Sequence, residues 1–236
     1  MTQAFLLDLM ALAGLQPPSP ASLLALWIRL GWGLVVAACV GQLVRAACTA
    51  RGLPSGTGWA WRVGIAAALA TWLAPGPWSA AHWLGLAFFA PSGLLVALSA
   101  VVVWRLPGRM ARTVARSDIG VAMPPLLAAT LAVAGGLLYA AHLTALPIDA
   151  YAMGHGQYVP LWVVLPASLV AIGLWWQRQE MAAWAVAAAL LAHSLLGLPS
   201  PNAWDAVLDP WLWLWAVLAC AGHGVRRVAT MQDRTR

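Results

Sequence analysis

A helix that crosses the hydrocarbon core of a bilayer takes about 20 mainly apolar residues, and this chain offers windows of that kind almost end to end. They fall at 22–44, 56–74, 82–104, 120–146, 158–176, 181–198 and 207–225. Hydrophobic residues make up 62% of the chain and charged residues 8%, against about 25% charged in an ordinary soluble domain. The chain therefore reads as all-α, a polytopic transmembrane helical bundle of seven spans. The window 181–198 is short, so six spans is the alternative count.

Arginine placement orients such a bundle, because short cytoplasmic loops are rich in Lys and Arg. Arg45, Arg51 and Arg62 flank the first connection, and Arg105, Arg109, Arg112 and Arg116 fill the third. Arg178 marks the fifth, and Arg226, Arg227, Arg234 and Arg236 end the chain. With seven spans all of them share one side, while the opposite connections carry Asp149, Asp205 and Asp209 and no arginine. The expectation is a multi-pass protein of a bacterial-type inner membrane, N-terminus outside and C-terminus cytoplasmic. The net charge of +6 then follows from orientation and from anionic lipid at the cytoplasmic face. Nucleic acid is not an expected partner. Arg105, Arg109, Arg112 and Arg116 would share one face of a helix suited to lipid headgroups, although an orientation signal with no specific partner is the favoured reading.

The expected layout is a short outer-face amphipathic segment at 1–21, a single transmembrane domain at 22–226 and a basic cytoplasmic tail at 227–236. The opening "MTQAFLLDLMALAGL" has no basic residue before its apolar run, and Asp8 interrupts that run, so it lacks the layout of a cleaved signal. Most of the 16 tryptophans sit at span ends, as amphipathic rings do at headgroup level. In "WLWLW", Trp211 to Trp215, two of the three indoles are expected to pack on neighbouring helices instead. Cys39, Cys48 and Cys220 all lie in apolar windows with no metal-ligand spacing, so no disulfide is expected.

The seven-span layout puts His82, His142, His155 and His193 on the outer side with the three aspartates, and only His223 inside. Imidazole and carboxylate together suit transition metals, and two facing histidines suit the axial positions of a haem. His142 and His193, each about one helical turn from its outer helix end, form the candidate cofactor pair, with His82, His155 and Asp149 as further metal ligands. The competing reading is that these groups are simply capped by backbone carbonyls or water. The stretch "LPIDAYAMGHGQYVPLW" is accordingly a connector, and a site only if its histidine neighbours hold something.

Arg29 lies near the outer end of the first window. It either pairs below the surface with Asp149, Asp205, Asp209 or a substrate anion, or snorkels to the interface; snorkelling is the favoured version. In the third window "FFAPSGLL" places Pro91, Ser92 and Gly93 at mid-membrane. Proline removes a backbone donor there and kinks the helix. Interrupted helices of this type hold substrate in transporters. "PSG" resembles the nucleophile turn of intramembrane serine proteases, but Ala90 replaces its first glycine and no oxyanion donor stands out. A chain without lysine cannot form a retinal Schiff base.

Three functions remain. The first is a non-catalytic integral subunit or accessory factor of a larger membrane complex, because the loops are too short for a catalytic domain. A small transporter or permease component is the second. The third is a haem- or metal-binding redox protein with its site near the outer face.

Overall fold

In a computed structural model, residues 20–51, 57–106, 123–143, 149–156 and 159–234 are described. Every regular element among them is helical. Helix α1 (Pro20–Ala50) leads into α2 (Thr57–Leu73), then α3 (Ala80–Phe88) and α4 (Gly93–Arg105). After these come α5 (Pro125–Leu143), α6 (Leu165–Trp176) with a π-helical turn before it at Pro160–Val164, and α7 (Glu180–Leu196). A four-residue helix α8 (Trp204–Val207) precedes the long α9 (Pro210–Arg234). The apolar windows and the helices coincide closely, with one correction. The window 82–104 is not a single kinked helix: α3 and α4 are separate, with residues 89–92 between them. The amphipathic segment expected at 1–21 falls outside the described residues up to residue 19, as do Arg109, Arg112 and Arg116.

Two helices, Ala21–Ala50 and Pro125–Leu143, are long and apolar enough to cross a membrane. Gly93–Arg105, Leu161–Trp176, Glu180–Leu196 and Pro210–Val225 are shorter apolar helices. Their outer faces stay greasy: Leu137, Leu169 and Leu218 are each about 60% exposed. Tryptophans Trp59, Trp61, Trp104, Trp175, Trp176 and Trp184, and at the other ends Trp78, Trp83, Trp162 and Trp211, are likewise exposed. Trp204 departs from that belt, since its indole donates to Ala150 O at 3.1 Å.

The interior forms around α4, which packs against α1, α7, α8 and α9. Seven of its residues are buried, among them Leu94, Leu95, Leu98 and Val102. On α1, Gly33, Ala37 and Gly41 recur every four residues; Ala37 and Gly41 meet Ala60, Gly64 and Ala68 of α2, also every four, while Gly33 makes room for the Trp72 indole. Small residues at that spacing form one stripe on each helix and let the backbones approach. A Cβ on Gly64 would stand 2.8 Å from Ala37 O, a backbone atom that cannot swing away. Gly135 of α5 makes room for the Trp213 indole, which donates to Ala132 O at 3.1 Å. Trp213 thus packs on a neighbouring helix, and Trp215 is also part of the core packing.

Helix ends follow from local chemistry. Asp209 accepts from Leu212 N–H at 2.8 Å and caps α9, whose first residue, Pro210, has no N–H to satisfy. Gly197 ends α7 in a left-handed conformation, φ 66°, with its N–H on His193 O. Arg29, on the exposed face of α1, donates to Ala74 O at 2.7 Å, just past the end of α2. A cation at the carbonyl end of a helix is favoured by the helix dipole. Its bonding partner is therefore this carbonyl and none of the three aspartates proposed for it.

Candidate functional site: a cleft beside the helix break

The break between α3 and α4 is set locally by Pro91, Ser92 and Gly93. Pro91 offers no N–H, so the chain cannot continue a helix through it. Ser92 then restarts one: its hydroxyl accepts from Leu95 N–H at 3.1 Å, and the side chain is 1% exposed. Its own N–H donates to Asp209 Oδ2 at 2.8 Å. Gly93 follows because a Cβ there would lie 3.2 Å from Ala189 Cα of α7 and 3.1 Å from Ala206 O. The carbonyls released by the break are also taken. Trp32 Nε1 of α1 donates to Phe89 O at 3.1 Å, and Trp27 Nε1 donates to Pro91 O at 3.0 Å.

Phe89 carries the backbone around the corner at φ 60°, ψ −109°, where a bulky side chain is strained. Phe88 and Phe89 there form one wall of a cleft of about 400 Å³. Leu138, Tyr139 and His142 of α5 line another side, and Tyr151, Trp204, Asp205 and Asp209 contribute polar atoms and rings. The volume lies within the range of small-molecule sites, about 300–1,000 Å³.

From the connector "DAYAMGHG", Tyr151 lines this cleft. Asp149 Oδ1 accepts from Ala152 N–H at 3.0 Å and starts the turn Ala152–Gly154. Asn202 Nδ2 donates to Tyr151 O at 3.1 Å, and Ala203 N–H donates to Gly154 O at 2.9 Å. The Tyr151 hydroxyl lies 2.9 Å from both Asp205 oxygens, and the Ser200 hydroxyl is 2.5 Å from Asp205 Oδ2. The loop at 149–156 is thereby bonded to the segment at 200–205.

Partial burial, then the hydrogen bond to Asp205 and its negative charge, push the Tyr151 phenol up to about 12, with the Asn202 interaction opposing. Because the folded value lies above the ordinary phenol value of 10, the protonated phenol contributes stability in full below pH 10. That contribution is lost as pH rises through about 12. We expect Asp205→Asn to return this ionisation toward 10, read from the alkaline phenolate difference spectrum of each protein against its Tyr151→Phe counterpart. An unchanged titration would show that Asp205 does not hold the phenol.

The proposed ligands are only partly brought together. His142, exposed, lines the cleft; His193 does not line it, and α6 packs against both α5 and α7. The Nδ1 of His193 is buried without a hydrogen-bond partner. His155 meets the Tyr151 ring edge-on at 6.2 Å, and His82 meets Trp83 in the same way at 5.5 Å. Among the described residues no three His, Cys, Asp or Glu side chains gather as a metal site. His223 lies 2.9 Å from Met123 O, at the arginine-bearing end of the bundle.

Reading the sequence missed Phe88, Phe89, Tyr139, Asn202 and Trp204 as parts of one site. The signal that was available is the density of turn formers in "GLPSPNAWDAVLDP", residues 197–210, around a tryptophan and two aspartates. Comparison with protein families, with curated proteins and with solved structures finds no match for this chain.

Proposed function

We propose that this chain is a seven-span protein of a bacterial-type inner membrane and acts as a non-catalytic subunit or accessory factor of a larger membrane complex. What supports the membrane reading is the pattern of apolar exteriors on α5, α6 and α9, with tryptophan at helix ends and with Arg45, Arg51, Arg62, Arg105 and Arg178 at the helix ends opposite Arg29. Supporting the non-catalytic reading is one observation: the serines and carboxylates at the helix break and the cleft are engaged within the fold. Ser92 and Asp209 cap helices, and Asp205 holds Tyr151 and Ser200. The amides and carbonyls at the helix break, which a transporter would turn toward substrate, meet Asp209, Trp27 and Trp32.

Gentle solubilisation followed by native electrophoresis and mass spectrometry tests the role. The expected result is a particle containing other membrane polypeptides in fixed stoichiometry. A particle made of this chain alone would overturn the subunit reading and leave transport, tested by substrate-dependent uptake. For the topology, the native cysteines are replaced by serine and single cysteines introduced. A membrane-impermeant maleimide should label Pro77→Cys and Ala152→Cys in intact cells, but Thr49→Cys and Gln177→Cys only after lysis. Labelling of all four in intact cells would overturn the seven-span layout.

A further inference from the structure

The cleft beside the helix break has a charge imbalance that the fold itself does not remove. Asp205 and Asp209 both line it. Asp209 sits at the N-terminus of α9, where the helix dipole offsets part of its charge. Asp205 stands in a helix of only four residues and is bonded to two neutral hydroxyls, Tyr151 and Ser200. The chain contains no lysine; among the described residues the arginine at this end of the helices is Arg29, which is bonded to Ala74 O, and the basic side chain in the cleft lining is the imidazole of His142. Asp205 is half-buried, and its hydroxyl donors bring no positive charge to offset its own.

Around this charge the walls are aromatic and aliphatic. An open, preformed cavity of about 400 Å³ exceeds what a few bridging waters need, since one water occupies about 30 Å³ of liquid volume. Aromatic faces attract cations as well as apolar groups. We propose that the cleft binds a small organic cation, an ammonium head on an aromatic or branched alkyl body, with Asp205 as charge partner and Phe88, Phe89, Tyr139 and Trp204 around the body. This binding site is independent of the subunit role, since it requires neither a partner chain nor a reaction.

The test is equilibrium dialysis of radiolabelled benzyltrimethylammonium against the full chain in lipid nanodiscs, with benzyl alcohol and benzenesulfonate as uncharged and anionic competitors. Saturable one-to-one binding is expected, with benzyl alcohol competing at least tenfold less effectively and benzenesulfonate not at all. Asp205→Asn retains an acceptor oxygen and should weaken binding tenfold or more. Phe89→Gly removes one wall at a residue whose φ of 60° suits glycine, so it should weaken binding while leaving the melting temperature equal or higher. Glu180→Gln, at the start of α7 and outside the cleft lining, should bind like the unaltered protein. Absence of saturable binding by folded protein, equal binding to Asp205→Asn, or effective competition by benzenesulfonate would each overturn the proposal.

Discussion

Trp32→Ala is expected to destabilise the protein by about 4 kcal/mol, the range for truncating a large buried aromatic residue being roughly 3–5 kcal/mol. The side chain is 1% exposed and belongs to the same core cluster as Val35, Leu94 and Leu98. Its ring also packs at a tilt on Phe88, centroids 6.3 Å apart. Two losses add at this site. Removing the indole opens a cavity between α1 and the α3–α4 break. It also strips Phe89 O of the donor that satisfies it at 3.1 Å. Trp32→Phe separates the two, because it keeps much of the volume and loses the hydrogen bond, for an expected cost of about 1–2 kcal/mol. Thermal or denaturant unfolding of the purified protein in detergent reads both variants. A cost under about 1 kcal/mol for Trp32→Ala would mean that the indole is not part of the core.

Asp209→Ala is the second large effect, expected to cost about 3 kcal/mol. The carboxylate joins two chain segments that are 117 residues apart in sequence: one oxygen accepts from Ser92 N–H, the other from Leu212 N–H. Loss of a helix N-cap costs about 0.5–2 kcal/mol. Leaving Ser92 N–H unsatisfied adds about 1–3 kcal/mol, and in an apolar surrounding no water replaces the lost acceptor. Asp209→Asn should cost less, because its single amide oxygen still accepts one of the two bonds. Equal destabilisation by Asn and Ala would show that both acceptor oxygens are needed together. No destabilisation by Ala would mean that the break is held by Trp27 and Trp32 alone.

Both variants act at the helix break, and the break is where reading from the sequence stopped short. Pro91-Ser92-Gly93 announces an interruption, because proline has no N–H and serine is a good cap. What the local sequence does not contain is the set of partners. They come from Trp27 and Trp32, about sixty residues upstream, and from Asp209. The same holds for the cleft. Asp205, Asp209 and His142 were singled out by the charge pattern, but Tyr139, Phe89 and Trp204 looked like ordinary span residues and a belt tryptophan. Arg29 stood out as a cation near the end of an apolar window, while its partner, Ala74 O, carries no side-chain signature at all.

Positions of the helices were determined by the sequence alone, since hydrophobicity is a local property that accumulates over each window. So were the clustering of arginine between apolar windows, the cap and proline that start α9, and the small-residue stripe on α1. Tertiary structure decided that α4 is the axial helix, that residues 149–156 dock on 200–205, and that one aspartate serves two distant amides. It also decided which of the outer-side acids and histidines share a cleft. These depend on which helix faces lie adjacent, and adjacency is a property of packing among all the helices that no single window encodes.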